Sequence, residues 1–524
     1  MSFATWYYPF FIAAVAAIFW ALPSRYRGVF MIPAAFVFYG YWDIRFIALL
    51  MAAAGVDYLS ALQMAGQSPG RMKAWLIALL PLGWLCVARF FKRFDLWELL
   101  LVGLFCLAFI ACYEFWSRRS GPGRKRAFLG LAIGFNLVLL CFFKYAAWFA
   151  EGARDGLRAI GLEADWATLN IVLPVGISFH TFQSIAYAVD VYHGKCPAEP
   201  RFRRILNMIS FFPQLVAGPI ERASHLLPQL AFSRSFDWRT MAWGLHLMLV
   251  GFFLKVFVAD NCAIIANYYF DQVQSGATPG GGWTLAGTLA FAFQIYGDFS
   301  GYSYIARGSA MFLGVELTRN FRLPYFAASP SDFWRRWHIS LSSWFRDYVF
   351  IPLGGSRGSE FRTAANLLAT MLLAGLWHGA SAMFVAWGAY HGALQVIWRA
   401  SPWLERLGRA ETVIARVSAT TLTFTLVCIG WILFRAKSFP DLLLILHGLG
   451  VWQAPDAPGI SGAWKWLAFH VVPLLGIQFA VINQDEESDI VNLPMALLVP
   501  IYLIMAIGVL SSGYLSSQFI YFQF

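Results

Sequence analysis

The sequence predicts an all-α, polytopic integral membrane protein. Three observations carry that prediction: 59% of the 524 residues are hydrophobic, only 13% are charged, and the apolar residues gather in long runs. A water-soluble chain carries about a quarter charged residues, so half that density leaves too little polar surface to cover a soluble globule. Runs such as Met241–Val258 and Leu493–Leu510 approach the ~20 residues that a helix needs to cross a ~30 Å hydrocarbon layer. Inside that layer each backbone amide and carbonyl must be paired within its own segment. Helices do this, and the runs lack the alternation of strands.

Taken in order, candidate spans begin near Tyr7, Val29, Phe46, Ala74, Trp97, Phe128, Asn170, Met241, Trp283, Ala364, Val417, Trp464 and Leu493. Several are short, so roughly 11–13 transmembrane or re-entrant helices are expected. No internal repeat, low-complexity tract or sizeable soluble segment interrupts them, and the chain reads as one membrane domain over residues 1–524. The net charge of +11 sits in loops and does not point to nucleic acid. Basic clusters at Arg118–Arg119, Arg124–Arg126 and Lys195 with Arg201–Arg204 read as cytoplasmic under the positive-inside rule. Counting back places Arg25 and Arg27 inside, while Arg89, Lys92 and Arg93 violate the count. No cleavable signal is read at the start. Seven cysteines, odd in number, without a Cys-x-x-Cys pair and mostly within apolar runs, read as inert buried thiols. No metal site and no bound cofactor is read.

Polar residues inside apolar sequence carry the functional signal. His378 lies within the run Ala364–Trp398, which as one helix would hold it near mid-membrane. Ionisable groups at that depth face the bundle interior and default to a functional reading; the alternative is a neutral histidine bonded to a neighbouring helix. On that same helix His391 would point about 220° away and reads as structural. His338 lies in Asp332–Tyr348, which reads as one amphipathic interfacial helix. Trp334, Trp337, Leu341, Trp344, Phe345 and Tyr348 form its apolar stripe, and Arg336, Ser340, Ser343 and Asp347 its wet face. Arg335, Arg336 and Arg346 suit phosphates, of lipid or of a coenzyme. Asp298 and Ser300 interrupt the run Leu285–Leu313, and Lys255, Asp260, His180 and Asp190 are comparable intrusions. Phe211–Glu221 is too short and proline-broken to span and suits a sheltered re-entrant stretch.

At these residues the chain resembles the membrane-bound O-acyltransferase family, in its bacterial alginate O-acetyltransferase-like branch. The matching stretches are Leu173–Phe182, Gln214–Ile220, Asp298–Tyr302, Asp332–Gly355, Gly375–Ala380, Gly430–Arg435 and the tail Phe519–Phe524, in family order. One departure is Tyr304, where this branch usually carries aspartate. The resemblance implies a central tunnel and acyl transfer near the middle of the membrane domain. It implies a catalytic middle over residues 170–435, with C-terminal spans and an aromatic tail over 436–524. His378 matches the family's near-invariant histidine and His338 the second histidine of the branch. Asp298, Ser300, Trp334, Arg335, Arg336, Trp337, Trp377 and Arg346 become candidates for lining the tunnel or binding the donor.

The chemistry agrees with these residues. Moving an acyl group from a thioester to a hydroxyl requires a base for the proton and stabilisation of the oxyanion, and a buried neutral imidazole can be that base. His378 is expected to be the base and His338 to orient the donor or stabilise charge. The tail reads either as an interfacial aromatic anchor or, by resemblance to the D-alanylation machinery, as an acyl relay through Tyr521. The expected function is acetyl transfer from acetyl-CoA or another acyl thioester, across the bacterial inner membrane, for O-acetylation of an alginate-like or cellulose-like exopolysaccharide. Peptidoglycan O-acetylation is the alternative within the class. The expected partners are an extracytoplasmic, SGNH-hydrolase-like transferase, the polysaccharide machinery and membrane lipid. A proton-coupled transporter or flippase is the alternative of another class, against which stands the lack of an inverted repeat.

Overall fold

The computed structural model describes residues 3, 5, 7–92, 96–162, 173–216, 218–452, 459–484 and 487–512. Among them the secondary structure is entirely helical. Seven helical stretches are long and apolar enough to cross a membrane, and three shorter apolar helices accompany them. The chain is a multi-pass, all-α membrane protein. The candidate starts fall in or beside helices, except Asn170, which lies outside the described residues.

The chain divides into two compact units, residues 1–242 with 309–317, and residues 243–308 with 318–524. In the first, α1 (Tyr8–Ala21), α2 (Ser24–Asp43), α3 (Ile47–Met64), α4 (Arg71–Phe91), α5 (Leu96–Ser117), α6 (Gly121–Ala159) and α7 (Ile177–Tyr192) precede three short helices, α8 (Phe202–Ser210), α9 (Phe212–Leu215) and α10 (Ala223–Gln229). Helix α3 is the hub, buried along nearly its whole length and packed on α4, α6, α7 and α8. The proline-broken stretch after Ser210 folds into the four-residue α9, with all four residues buried, as a sheltered segment requires. Lys92, which violated the loop-charge count, is held 2.6 Å from Asp43, at the opposite end of α2 from Arg25 and Arg27.

The second unit contains most of α11 (Trp238–Phe252), then α12 (Asp260–Gln274), most of α13 (Gly281–Met311), α14 (Pro330–Arg336), α15 (Ile339–Phe345), α16 (Glu360–His378), α17 (Ala382–Ala400), α18 (Pro402–Gly408), α19 (Val413–Arg435), α20 (Phe439–Gly450), α21 (Ile460–Ala480) and α22 (Met495–Ser511). A π-helical turn over Phe253–Ala259 joins α11 to α12. Helices α16 and α17 are a tight antiparallel hairpin. A methyl group added at Gly375 would run into the Phe384 carbonyl, and one at Gly388 into the Met371 carbonyl. Only glycine allows backbones this close.

The hairpin corrects the reading of Ala364–Trp398 as one run. The helix ends at His378, Gly379 is extended, and the Ser381 hydroxyl restarts it by accepting from the Met383 amide at 3.2 Å. A serine oxygen that takes one of the unpaired first-turn amides is a strong helix start, and Gly-Ala-Ser supplied it inside an otherwise apolar run.

Candidate active site

The His338 side of the site begins with a second capped start. Ser329 accepts from the Asp332 amide at 3.1 Å and Pro330 occupies the first turn, where its missing N–H costs nothing. The resulting α14 lasts seven residues. His338 then adopts a left-handed backbone, φ 44° and ψ 54°, which breaks the continuous amphipathic helix expected over Asp332–Tyr348. Asn320 holds the break: its backbone carbonyl accepts from the Ile339 amide at 2.9 Å. Its side-chain Oδ1 accepts from the Ser340 amide at 3.2 Å and the Ser340 hydroxyl at 2.9 Å. Asn320 is itself anchored by its Nδ2, which donates to the Ser303 hydroxyl at 3.3 Å. Ser340, expected on a wet face, is therefore buried. A left-handed residue with a side chain costs about 1–2 kcal/mol, and these three bonds offset it. Histidine is among the residues that adopt this conformation most readily.

The break turns His338 inward. Its ring lies 4.5 Å from that of Phe299 and 5.9 Å from the Trp377 indole. His338 lies outside the spanning helices, and burial pushes its imidazole down to about 3, so at neutral pH it is a neutral ring. The His378 ring stands 5.0 Å from Trp377, 5.0 Å from Trp387 and 5.2 Å from Phe434. Trp377 thus touches both histidines, and α14–α15, α16, α17 and α19 each contribute to one aromatic cluster.

The cluster also contains His391, which was set aside by an angle measured along a single helix. Because the helix ends at His378, that angle has no meaning. His391 lies 4.9 Å from Trp387 and 5.1 Å from Trp334. It is buried, and among the described residues neither of its ring nitrogens has a hydrogen-bond partner. Gly430 makes room for it, since a methyl group there would collide with His391 Nε2.

A cavity of about 360 Å³ opens beside this cluster. His378, Trp334 and Trp387 line it together with Ser342, Ser343, Thr370 and Gln395, and Arg335 and Arg346 bring cationic groups to it. Arg335 donates to the Ser331 hydroxyl at 3.3 Å and Arg346 pairs with Asp347 at 2.8 Å. Of the remaining candidates, Arg336 pairs with Asp332 at 3.0 Å. Trp337 packs inward against Phe321 and Trp431, and neither residue lines the cavity.

Neither Asp298 nor Ser300 is among the residues that line this cavity. Lys255 Nζ stands 2.6 Å from Asp298 and 2.7 Å from Asp260, in a buried triad placed by the π-helical turn. Ser300 is fully buried on α13, and its hydroxyl has no hydrogen-bond partner among the described residues. Tyr304 lies 5.5 Å under the Arg307 guanidinium. Tyr521 lies outside the described residues. Among them no group of three or more His, Cys, Asp or Glu could hold a metal ion. Sequence reasoning passed over Asn320 and Trp387 and placed His391, read as structural, away from His378. The usable signal for the last two was the glycine–serine restart at Gly379–Ser381.

Chemically, the arrangement offers the His378 imidazole at the wall of a chamber that two indoles and two guanidinium groups also line. Comparison with known proteins gives the same chemistry. Residues 198–401 match the sequence profile of MBOAT, the membrane-bound O-acyltransferase family. The chain is 31% identical to a protein of Azotobacter vinelandii named "Probable alginate O-acetylase", over 98% of both chains. It is 33% identical to the peptidoglycan O-acetyltransferase of Helicobacter pylori, over 71% of this chain and 74% of that one. It is 28% identical to the teichoic acid D-alanyltransferase of Bacillus subtilis, over 52% of this chain and 70% of that one.

Proposed function

The chain belongs to the membrane-bound O-acyltransferase family, and from that premise we propose that it is the membrane component of a glycan O-acetylation system. It takes an acetyl group from a cytoplasmic thioester, acetyl-CoA or another acyl thioester, and passes it through a tunnel in the bacterial inner membrane toward an exopolysaccharide. The observation that carries the reading is His378 at the wall of the cavity of about 360 Å³, flanked by indoles. The exopolysaccharide is favoured by the Azotobacter vinelandii relative, which matches over nearly the whole of both chains. The Helicobacter pylori relative supports peptidoglycan as a second acceptor for the same chemistry.

In the proposed step the acceptor oxygen attacks the thioester carbonyl carbon. A carbon–oxygen bond forms, the carbon–sulfur bond breaks, and His378 takes the hydroxyl proton and returns it to the departing thiolate. A neutral imidazole suits this exchange near pH 7. His338, one indole away, orients the donor or steadies the developing charge. Arg335 and Arg346 sit where coenzyme phosphates would meet the protein, and guanidinium recognises phosphate in a bidentate manner. The final transfer to sugar falls to an extracytoplasmic partner of the SGNH-hydrolase type.

Proteoliposomes carrying the full chain test the reading. Labelled acetyl-CoA outside should leave acetyl on the protein or an acceptor, and the His378→Ala variant should not. Uptake of an intact solute in place of acetyl transfer would reverse the class. Tyr521→Phe retains the ring and removes the acceptor hydroxyl, so the relay predicts loss of product acetylation in that variant. Normal product from Tyr521→Phe would end the relay and leave the enzyme.

A further inference from the structure

The first unit contains a buried carboxylate that the acyl-transfer chemistry does not use. Asp57 lies in the middle of α3, the most enclosed helix of that unit, and is 1% exposed. Among the described residues no lysine, arginine or histidine pairs with it. Its Oδ1 accepts from Asn136 Nδ2 of α6 at 3.3 Å, and Ser184 of α7 approaches the same carboxyl group. Ser60 stands one helical turn further along α3 on the same face.

Three oxygens in this cluster are buried without a hydrogen bond, Asp57 Oδ2, Ser60 Oγ and Asn136 Oδ1, and the Ser184 hydroxyl reaches the same carboxyl group. The Asn136 amide nitrogen is already engaged with Asp57 and with the Ala132 carbonyl, so what it has left to offer is its carbonyl oxygen. Buried polar atoms are nearly always paired, and an open carboxylate oxygen with two further unpaired oxygens on the same helices calls for one common partner.

An isolated carboxylate inside a membrane domain must be neutralised, by a cationic side chain, a proton or a bound cation. The first is not present at Asp57. A proton satisfies a single acceptor. A cation satisfies several oxygens at once, and a carboxylate, an amide carbonyl and two hydroxyls are the hard oxygen donors that alkali and alkaline-earth ions take. With one carboxylate in the set, the charge matches a monovalent ion, since calcium sites recruit additional acidic ligands.

We propose that Asp57, Ser60, Asn136 and Ser184 form a binding site for a monovalent cation of the sodium type, linking α3, α6 and α7. The site is separate from the histidine cluster and does not depend on the acyl-transfer reading. Binding of the ion stabilises the folded chain by mass action.

The test uses the purified full chain in detergent micelles at mildly alkaline pH, with sodium chloride replacing N-methylglucamine chloride at constant ionic strength. The thermal midpoint should rise saturably with sodium, and the sodium NMR line should broaden in the presence of protein. Asp57→Asn, nearly isosteric and uncharged, should abolish both responses. Ser60→Ala removes one ligand and should shift the titration to higher sodium, which keeps the test decisive if Asp57→Asn fails to fold. A wild-type midpoint indifferent to sodium would identify Asp57 as a protonated carboxyl and overturn the site. A sodium response unchanged in both variants would overturn it equally.

Discussion

Two buried carboxylates, one in each unit, show how far apart the same residue type can be taken by its neighbours. In the second unit Asp298 shares Lys255 with Asp260 at 2.6 and 2.7 Å, so its charge is met by a side chain. In the first unit Asp57 meets the Asn136 amide and the Ser184 hydroxyl and, among the described residues, no cationic side chain. Both interrupt apolar sequence and both attract the same functional suspicion. The lesson is that an acid in a membrane helix is interpreted by its partner. Where the lysine is supplied, the acid is part of the scaffold. The chemistry proposed for the second unit rests instead on imidazoles packed among aromatic rings.

The largest effect should come from His378→Ala, which removes the proposed base and should lower acetyl transfer by about 10²–10⁴-fold, with the thermal midpoint close to wild type. Equal activity in a proteoliposome assay would move the chemistry elsewhere in the cluster. Next, Lys255→Met strips the cation from Asp298 and Asp260 and should cost about 3–5 kcal/mol, read as a lower midpoint or loss of folded protein. Adding Asp298→Asn should restore part of that loss, because fewer negative charges are then left buried. A lysine that can be removed at no cost would put Asp298 in the same position as Asp57.

A smaller loss is expected at Asn320. Replacing it with leucine leaves the Ser340 amide and hydroxyl unsatisfied at the turn and should cost about 2 kcal/mol. Because the turn aims His338, turnover should fall at unchanged donor KM, and Asn320→Asp, which keeps the accepting oxygen, should recover more turnover than Asn320→Leu. The smallest effect concerns His225, whose Nδ1 lies 2.7 Å from the buried Glu221 carboxylate. That hydrogen bond raises the imidazole above its ordinary value. The folded form therefore holds the proton more tightly than the unfolded one. The stabilisation is complete below the ordinary histidine value and is lost as pH rises through the raised one. His225→Gln should flatten this alkaline slope by no more than about 0.2–1 kcal/mol.

How much of this was legible in the sequence is clearest at particular residues. The runs that became α4, α5 and α19 were readable because hydrocarbon admits a long apolar run in essentially one form. His378 and His338 stand out in the sequence as polar intrusions, and the fold brings both rings against Trp377. The path to them was misread twice for one reason. Periodicity assumes that a helix continues, whereas α16 stops at His378 and α14 stops before His338. Both breaks depend on hydrogen bonds to particular residues, one to the Ser381 hydroxyl and three to Asn320, which a helical wheel does not represent. Asp298 was flagged as a lining residue because the lysine that neutralises it lies on a different segment.

By itself the sequence determined the all-helical membrane class, the approximate positions of the spans and the residue types fit for acyl transfer. These follow from composition and from the local need of each segment to pair its own backbone. Only the tertiary structure decided that Trp377 contacts both histidines and that His391 joins the same aromatic cluster. It also decided that Lys255 answers Asp298 while, among the described residues, nothing cationic answers Asp57. Those outcomes depend on contacts between residues tens to more than a hundred positions apart, and burial and charge act through such contacts whatever the distance along the chain.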